Sequence, residues 1–193
     1  MGSGQLRITL LALLLAAVPY LGLRLYLSFG MHASAAPAAL PPGWLLGSLF
    51  VLGVVVPTTG VLWILRWILR DRLQFQLSGL VVAYAALILL FASSYAILQA
   101  SRVGPSFAGM PVLWEAHDPA TLVVHVRRLH EIFFESVYLS TMTITTVGYG
   151  DLVPLTRLGK LLTAVEGLAG IGFMGIALGH YFSVCLRSDA CSG

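Results

Sequence analysis

The chain has 193 residues, of which 58% are hydrophobic and only 10% are charged, and its mean hydropathy is +0.90. Soluble domains carry about 25% charged residues, so this composition argues against a water-soluble protein and indicates a membrane protein. The net charge of +3 forms no basic stripe, which argues against nucleic acid as a partner.

Four apolar stretches approach the ~20 residues that an α-helix needs to span a bilayer. They lie at about 6–28, 44–67, 78–100 and 157–185. The sequence therefore predicts an all-α membrane protein with four transmembrane helices, surrounded by membrane lipids. Residues 1–77 form the predicted N-terminal two-helix region, which ends in a short connector with three arginines between 66 and 72. Arginines at a helix end are explained by lipid phosphates and topology, not by voltage sensing.

A long mixed connector is predicted over 101–130, and a further helix over 131–145. Within the connector, Asp118-Pro119 is typical of a helix start and predicts a short amphipathic helix that leads into the helix over 131–145. The helix over 131–145 is too short to span the membrane, so we expect it to be re-entrant. Its C-terminal end would point toward the membrane centre, where the negative end of the helix dipole favours a cation.

The segment Thr145-Thr146-Val147-Gly148-Tyr149-Gly150-Asp151 follows this helix. Two glycines alternate with larger residues, and glycine visits backbone conformations that are closed to most other residues. Such a backbone presents successive carbonyl oxygens, with the Thr146 hydroxyl at the inner end, as ligands that replace the water shell of K⁺. Potassium channels use a loop of this type. The sequence therefore predicts an ion-binding filter at Thr146, Val147, Gly148, Tyr149 and Gly150, with K⁺ bound at the first four.

Several parts of the chain together resemble the pore region of prokaryotic potassium channels. They are residues 135–144, the filter, Leu152-Val153-Pro154, and the positions Gly159, Lys160, Glu166 and Gly170. The resemblance implies a pore module over 78–186. Its parts are an outer helix at 78–100, an extracellular connector at 101–130, a pore helix at 131–145, a filter at 146–151 and an inner helix at 157–185, with a cytoplasmic tail at 187–193. It also implies a fourfold homotetramer with both chain termini in the cytoplasm, in a plasma membrane that the composition suggests is bacterial.

Three residues are predicted to support the filter: Thr145, Asp151 and Glu166. Asp151 would add negative charge at the mouth and hold the filter to the pore helix by hydrogen bonds. An ionisable residue inside a membrane helix needs a partner. The resemblance places Glu166 behind the pore helix near Thr143 or Thr145, where it would brace the filter. The alternative is that it neutralises Lys160 or reaches water.

The inner helix carries a predicted cavity and gate. Ile171, Met174, Leu178 and Phe182 share one helical face, and all are apolar, so closure by constriction and dewetting is expected. Gly170 matches the position at which the family's inner helix bends during gating. Close packing against the pore helix explains this glycine equally well.

The predicted function is a potassium-selective channel that conducts passively, holds K⁺ in its filter without an organic cofactor, and is not an enzyme. Two alternatives stay open: a weakly selective cation channel, and a regulatory subunit of a heteromeric channel. Tyr149 argues against weak selectivity, because less selective relatives lose this aromatic residue. The complete filter argues against a regulatory subunit.

Overall fold

A computed structural model describes residues 20–25, 44, 47, 48, 77–114 and 122–190. Beyond helical residues at 20–25, 44, 47 and 48, these form three long helices and one pair of short strands: α1 (Leu77–Ala100), β1 (Phe107–Ala108), α2 (Leu122–Ile144), β2 (Val153–Pro154) and α3 (Arg157–Ala190). The helices predicted at 6–28 and 44–67 otherwise lie outside the described residues.

Two helices of the described chain are long and apolar enough to cross a membrane. The spanning windows are Ala83–Ala100 in α1 and Arg157–Gly179 in α3. α1 has 24 residues and no charged side chain. At 1.5 Å per residue it is about 36 Å long, more than the ~30 Å of a hydrocarbon core. The mostly helical fold agrees with the predicted class, although the strand pair was not predicted.

The start of α2 differs from the prediction. The helix begins at Leu122, not at 131, so part of the predicted 101–130 connector and the predicted pore helix form one continuous helix. The physical reason is a buried stripe at helical spacing that begins well before residue 131. It comprises His125, Leu129, Ile132, Ser136 and Ser140. The C-terminal end, at Ile144, lies one residue from the predicted end.

The third helix begins at Arg157, as predicted, but extends to Ala190. The predicted helix end at 185 is therefore corrected. Residues 187–190 of the predicted tail are helical, and the cytoplasmic location of the tail stays a prediction. One face of α3, with Glu166, Gly170 and Phe173, is buried against the rest of the chain. Only 17% of the membrane-spanning window of α3 is buried within the chain, whereas 67% of the corresponding window of α1 is buried.

The core lies between α1, α2 and the connector that follows α1. Its largest fully buried side chains include Tyr95, Phe107, Leu113, Leu129 and Ile132. The two strands pair antiparallel beside this core, with Phe107 opposite Pro154 and Ala108 opposite Val153. The connector after α1 is thereby joined to the segment that directly follows the predicted filter.

Residues 20–25 pack on α2. The Tyr20 ring lies 4.3 Å from that of Phe133, centroid to centroid, and Leu23 is only 1% exposed within the same core. A part of the N-terminal region is therefore integral to the core around α2.

α3 is in close contact with the last residue of α2 at Gly170. A Cβ atom at this position would lie 2.3 Å from the carbonyl oxygen of Ile144 and 2.8 Å from a carbon of its side chain. Only glycine allows the two helices to meet here. The structure thus shows the close packing that was one of the two explanations for Gly170, and bending at this residue stays a prediction.

We expect Gly170→Ala to lower the free energy of unfolding by about 1–3 kcal/mol, because the methyl group overlaps a backbone oxygen that cannot move away easily. Gly172→Ala is the matched control, since outside the adjacent turns of α3 no atom of the described residues lies within 4 Å of its Cβ position. The control should gain helix propensity and change stability by no more than about 1 kcal/mol. Thermal unfolding in detergent measures both. Equal shifts in the two variants would contradict the packing argument.

Candidate functional site

The predicted filter starts at a hydrogen-bonded turn at the end of α2. The Thr146 amide donates to the carbonyl of Thr143 (3.0 Å), and the Val147 amide donates to the carbonyl of Met142 (3.0 Å). Thr146 has φ 61°. These two bonds and one left-handed residue are the features of a Schellman motif, which satisfies carbonyls that a helix end leaves free. Glycine is the usual residue at the left-handed position of this motif, and here it is a threonine.

Positive φ recurs at every second residue of the loop. Thr146, Gly148 and Gly150 have φ 61°, 53° and 80°, whereas Val147 and Tyr149 are not left-handed. Alternation of this kind turns successive amide groups to one side of the chain and their carbonyl oxygens to the other. The loop therefore has the backbone pattern that a row of carbonyl ligands requires. At Thr146 this backbone pattern costs conformational free energy, because a β-branched residue rarely adopts φ above zero.

The side chains of the loop are exposed in the single chain. Tyr149 is 72% exposed and Val147 is 50% exposed, and no atom lies within 4 Å of the Cβ positions of Gly148 and Gly150. Large apolar side chains at this level of exposure, beside an apolar helix, mark a surface that other molecules cover.

Thr145 and Asp151 flank the loop and both contact α2 directly. The Thr145 hydroxyl donates to the Thr141 carbonyl (2.6 Å), and the Tyr138 hydroxyl donates to Oδ2 of Asp151 (2.8 Å). The hydrogen bond to Asp151 raises the pKa of Tyr138 above its ordinary value. The raised pKa means that this bond contributes fully below pH about 10 and is lost only as the pH rises further.

Glu166 is fully buried and joins all three helices. The Tyr95 hydroxyl in α1 donates to Oε2, and the Ser140 hydroxyl in α2 donates to Oε1. Ser140 also lies 2.9 Å from the Ile88 carbonyl of α1. Glu166 therefore lies behind α2, but its partners are Tyr95 and Ser140 instead of the predicted Thr143 or Thr145. No ion pair links it to Lys160 in the part of the chain that the structure describes.

The predicted cavity face of α3 lies open in the single chain. Ile171, Met174 and Leu178 are 60%, 53% and 53% exposed. The side chain of Phe182 lies outside the described residues. Their roles in a cavity and gate remain predictions.

Several residues of the site were missed in the sequence. Tyr95, Ser140 and Tyr138 hold Glu166 and Asp151 in place. Two tyrosines and one serine within apolar or amphipathic helices were the available signal, since polar groups buried in a membrane protein need partners. The local sequence does not indicate which residue each of these polar side chains would bind.

The chain resembles known channels over its C-terminal part. Residues 112–187 match a family model described as an ion channel. Potassium channel protein 1 of Methanocaldococcus jannaschii is 43% identical over 51 residues, which cover 26% of this chain and 15% of that protein. Probable potassium channel protein 2 of the same organism is 48% identical over 42 residues, covering 22% and 12%. The calcium-gated potassium channel TvoK of Thermoplasma volcanium is 40% identical over 43 residues, also covering 22% and 12%.

The chain thus spans 15% or less of the length of these relatives. The matched stretches and the two apolar helices support a membrane protein that is similar to potassium channels over part of its length.

We expect Glu166→Leu to lower the free energy of unfolding by about 2–4 kcal/mol, because it leaves the buried hydroxyls of Tyr95 and Ser140 without their acceptor. Glu166→Gln keeps the size and one acceptor, so a smaller loss is expected. Glu131→Leu is the control on the exposed side of α2, where an ion pair with Arg127 at 3.6 Å contributes at most about 1 kcal/mol. If Glu166→Leu and Glu131→Leu unfold at the same temperature, Glu166 does not join the helices.

Proposed function

We propose that this chain forms a potassium-selective channel that conducts K⁺ passively across a membrane as a fourfold homotetramer. The observation that carries the proposal is the alternation of left-handed residues at Thr146, Gly148 and Gly150. It occurs within residues 112–187, which match the ion channel family model, and directly at the C-terminal end of α2.

The carbonyl oxygens of Thr146, Val147, Gly148 and Tyr149, with the Thr146 hydroxyl, are the proposed ligands of dehydrated K⁺. Gly150 and Asp151 complete the filter at its outer end. Rings of carbonyls replace the hydration shell of the ion, and several such sites in a row allow it to leave as well as to bind. The negative end of the α2 dipole adds negative potential at the inner side of the filter. K⁺ is the cargo here, and the proposed function is neither enzymatic nor dependent on an organic cofactor.

Fourfold assembly follows from the need for four loops around one axis, since one chain supplies one loop. The exposed apolar face of α3 supports it. Leu158, Leu161, Leu168 and Ile171 are each at least 60% exposed, which suits neighbouring copies or lipid but not water. In the assembly, Ile171, Met174, Leu178 and Phe182 would line the inner cavity.

The proposed location is a bacterial plasma membrane, with four transmembrane helices per chain. The filter would lie in the outer half of the bilayer, and both termini in the cytoplasm. Two of the four helices correspond to α1 and α3. The N-terminal pair remains a prediction from hydropathy.

The reversal potential in a planar bilayer, with K⁺ on one side and Na⁺ on the other, tests the proposal. We expect a value close to the potassium equilibrium potential, and block of the current by Ba²⁺. Current that reverses near zero would contradict selectivity and favour a weakly selective cation channel. No current from the pure protein, together with current when a second pore chain is added, would favour a regulatory subunit.

A further inference from the structure

Residues 106–111, here called the strap, are held to the end of α1 by one buried side chain. The Gln99 side-chain oxygen accepts the amides of Ser106 (2.9 Å) and Phe107 (3.1 Å). Its nitrogen donates to the carbonyls of Pro111 (2.7 Å) and Met110 (3.4 Å). Gln99 is 0% exposed. A primary amide offers two donors and two accepting positions, so this side chain uses its full capacity on the strap.

The strap also contacts the chain that leaves the predicted filter. β1 lies within it and pairs with β2 two residues after Asp151. The Ser106 carbonyl accepts the amide of Leu155 (2.9 Å). The segment after the filter is therefore hydrogen-bonded to the strap and, through Gln99, to α1.

Gly109 brings the strap against the last filter residue. It has φ +82°, and a Cβ atom there would lie 2.5 Å from the carbonyl oxygen of Asp151 and 2.8 Å from Cδ2 of Leu152. Any side chain at this position would displace the backbone at the end of the filter. Gly104, in the same connector, also has positive φ (+91°), but no atom lies within 4 Å of its Cβ position.

The strap is in contact with the Glu166 junction as well. The Phe107 ring is fully buried and lies edge-on to Tyr95, with centroids 5.2 Å apart and an interplanar angle of 68°. Tyr95 in turn donates to Glu166. The strap and the Glu166 junction thus share one packed cluster of side chains.

We propose that the strap positions the outer end of the filter, with Gln99 and Gly109 as the positioning residues that determine selectivity there. This inference rests on the proposed channel function. The filter backbone from Tyr149 to Asp151 continues directly into the segment that the strap holds. A shift of that segment reorients the outermost carbonyls, which lowers their preference for dehydrated K⁺ over Na⁺ while the helices and the core stay in place.

The test compares Gly109→Ala with Gly104→Ala in the full chain, reconstituted in planar bilayers. Both substitutions impose the same kind of backbone strain, but only Gly109→Ala meets the filter. We expect Gly109→Ala to lower the K⁺/Na⁺ permeability ratio by roughly tenfold or more, a loss of about 1.4 kcal/mol of discrimination. Gly104→Ala should stay within about twofold of the unsubstituted chain, a change that corresponds to less than half of that energy.

Gln99→Leu provides a second variant with a readout that does not depend on conduction. We expect the Leu155 amide to exchange with deuterium at least about tenfold faster in Gln99→Leu, because its acceptor is no longer held in place. The amides in the middle of α1 should keep their protection, which shows that the chain is folded.

The outcomes separate the two proposals. Unchanged selectivity in Gly109→Ala, or unchanged Leu155 exchange in folded Gln99→Leu, overturns the strap's role. A non-selective current from the unsubstituted chain, with faster Leu155 exchange in Gln99→Leu, overturns the potassium-channel proposal but leaves the strap as the support of this segment.

Discussion

The structure of the candidate site depends on the reversal of the chain at Thr146. A non-glycine residue in the left-handed region costs about 1–3 kcal/mol. The amides of Thr146, Val147 and Gly148 all donate to carbonyls at the end of α2, and such hydrogen bonds contribute about 0.5–1.5 kcal/mol each. The strain at Thr146 therefore offsets a large part of what the turn itself contributes to holding the loop. A need for the threonine hydroxyl as an ion ligand explains why threonine occupies this position, because glycine would make the same turn without strain.

The remaining support comes from both sides of the loop. On one side, Glu166 joins α1, α2 and α3 through two hydroxyl groups, and Gly170 allows α3 to touch the last residue of α2. On the other side, Tyr138 holds Asp151, and the strap holds the following segment. A buried carboxyl group is tolerated in an apolar bundle only when its oxygens have partners. Glu166 with Ser140, and Asp151 with Tyr138, therefore form polar contacts with α2, the helix that leads into the loop.

Much of this arrangement was predictable from the sequence. Hydropathy predicted α1 and the start of α3, and the alternating glycines predicted a loop with special backbone conformations. The partners of Glu166 were not predictable, because a family position gives no side-chain contacts and Tyr95 is 71 residues away. Asp118-Pro119 indicated a short helix ahead of the one predicted at 131–145. That both form one continuous helix from Leu122 was missed, although the stripe with His125 and Leu129 has helical spacing. The strands have two residues each, too few for a period-2 pattern, so no local signal indicated the strap.

Anomalous diffraction from crystals grown in Rb⁺ tests the central claim most directly, since Rb⁺ substitutes for K⁺ and is visible by its anomalous signal. The account predicts a row of Rb⁺ peaks on a fourfold axis, coordinated by the carbonyl oxygens of Thr146, Val147, Gly148 and Tyr149. Crystals grown in Na⁺ alone should lose the ordered row. Rb⁺ peaks elsewhere in the chain but not at these carbonyls, or an assembly without a fourfold axis through the loops, would contradict it.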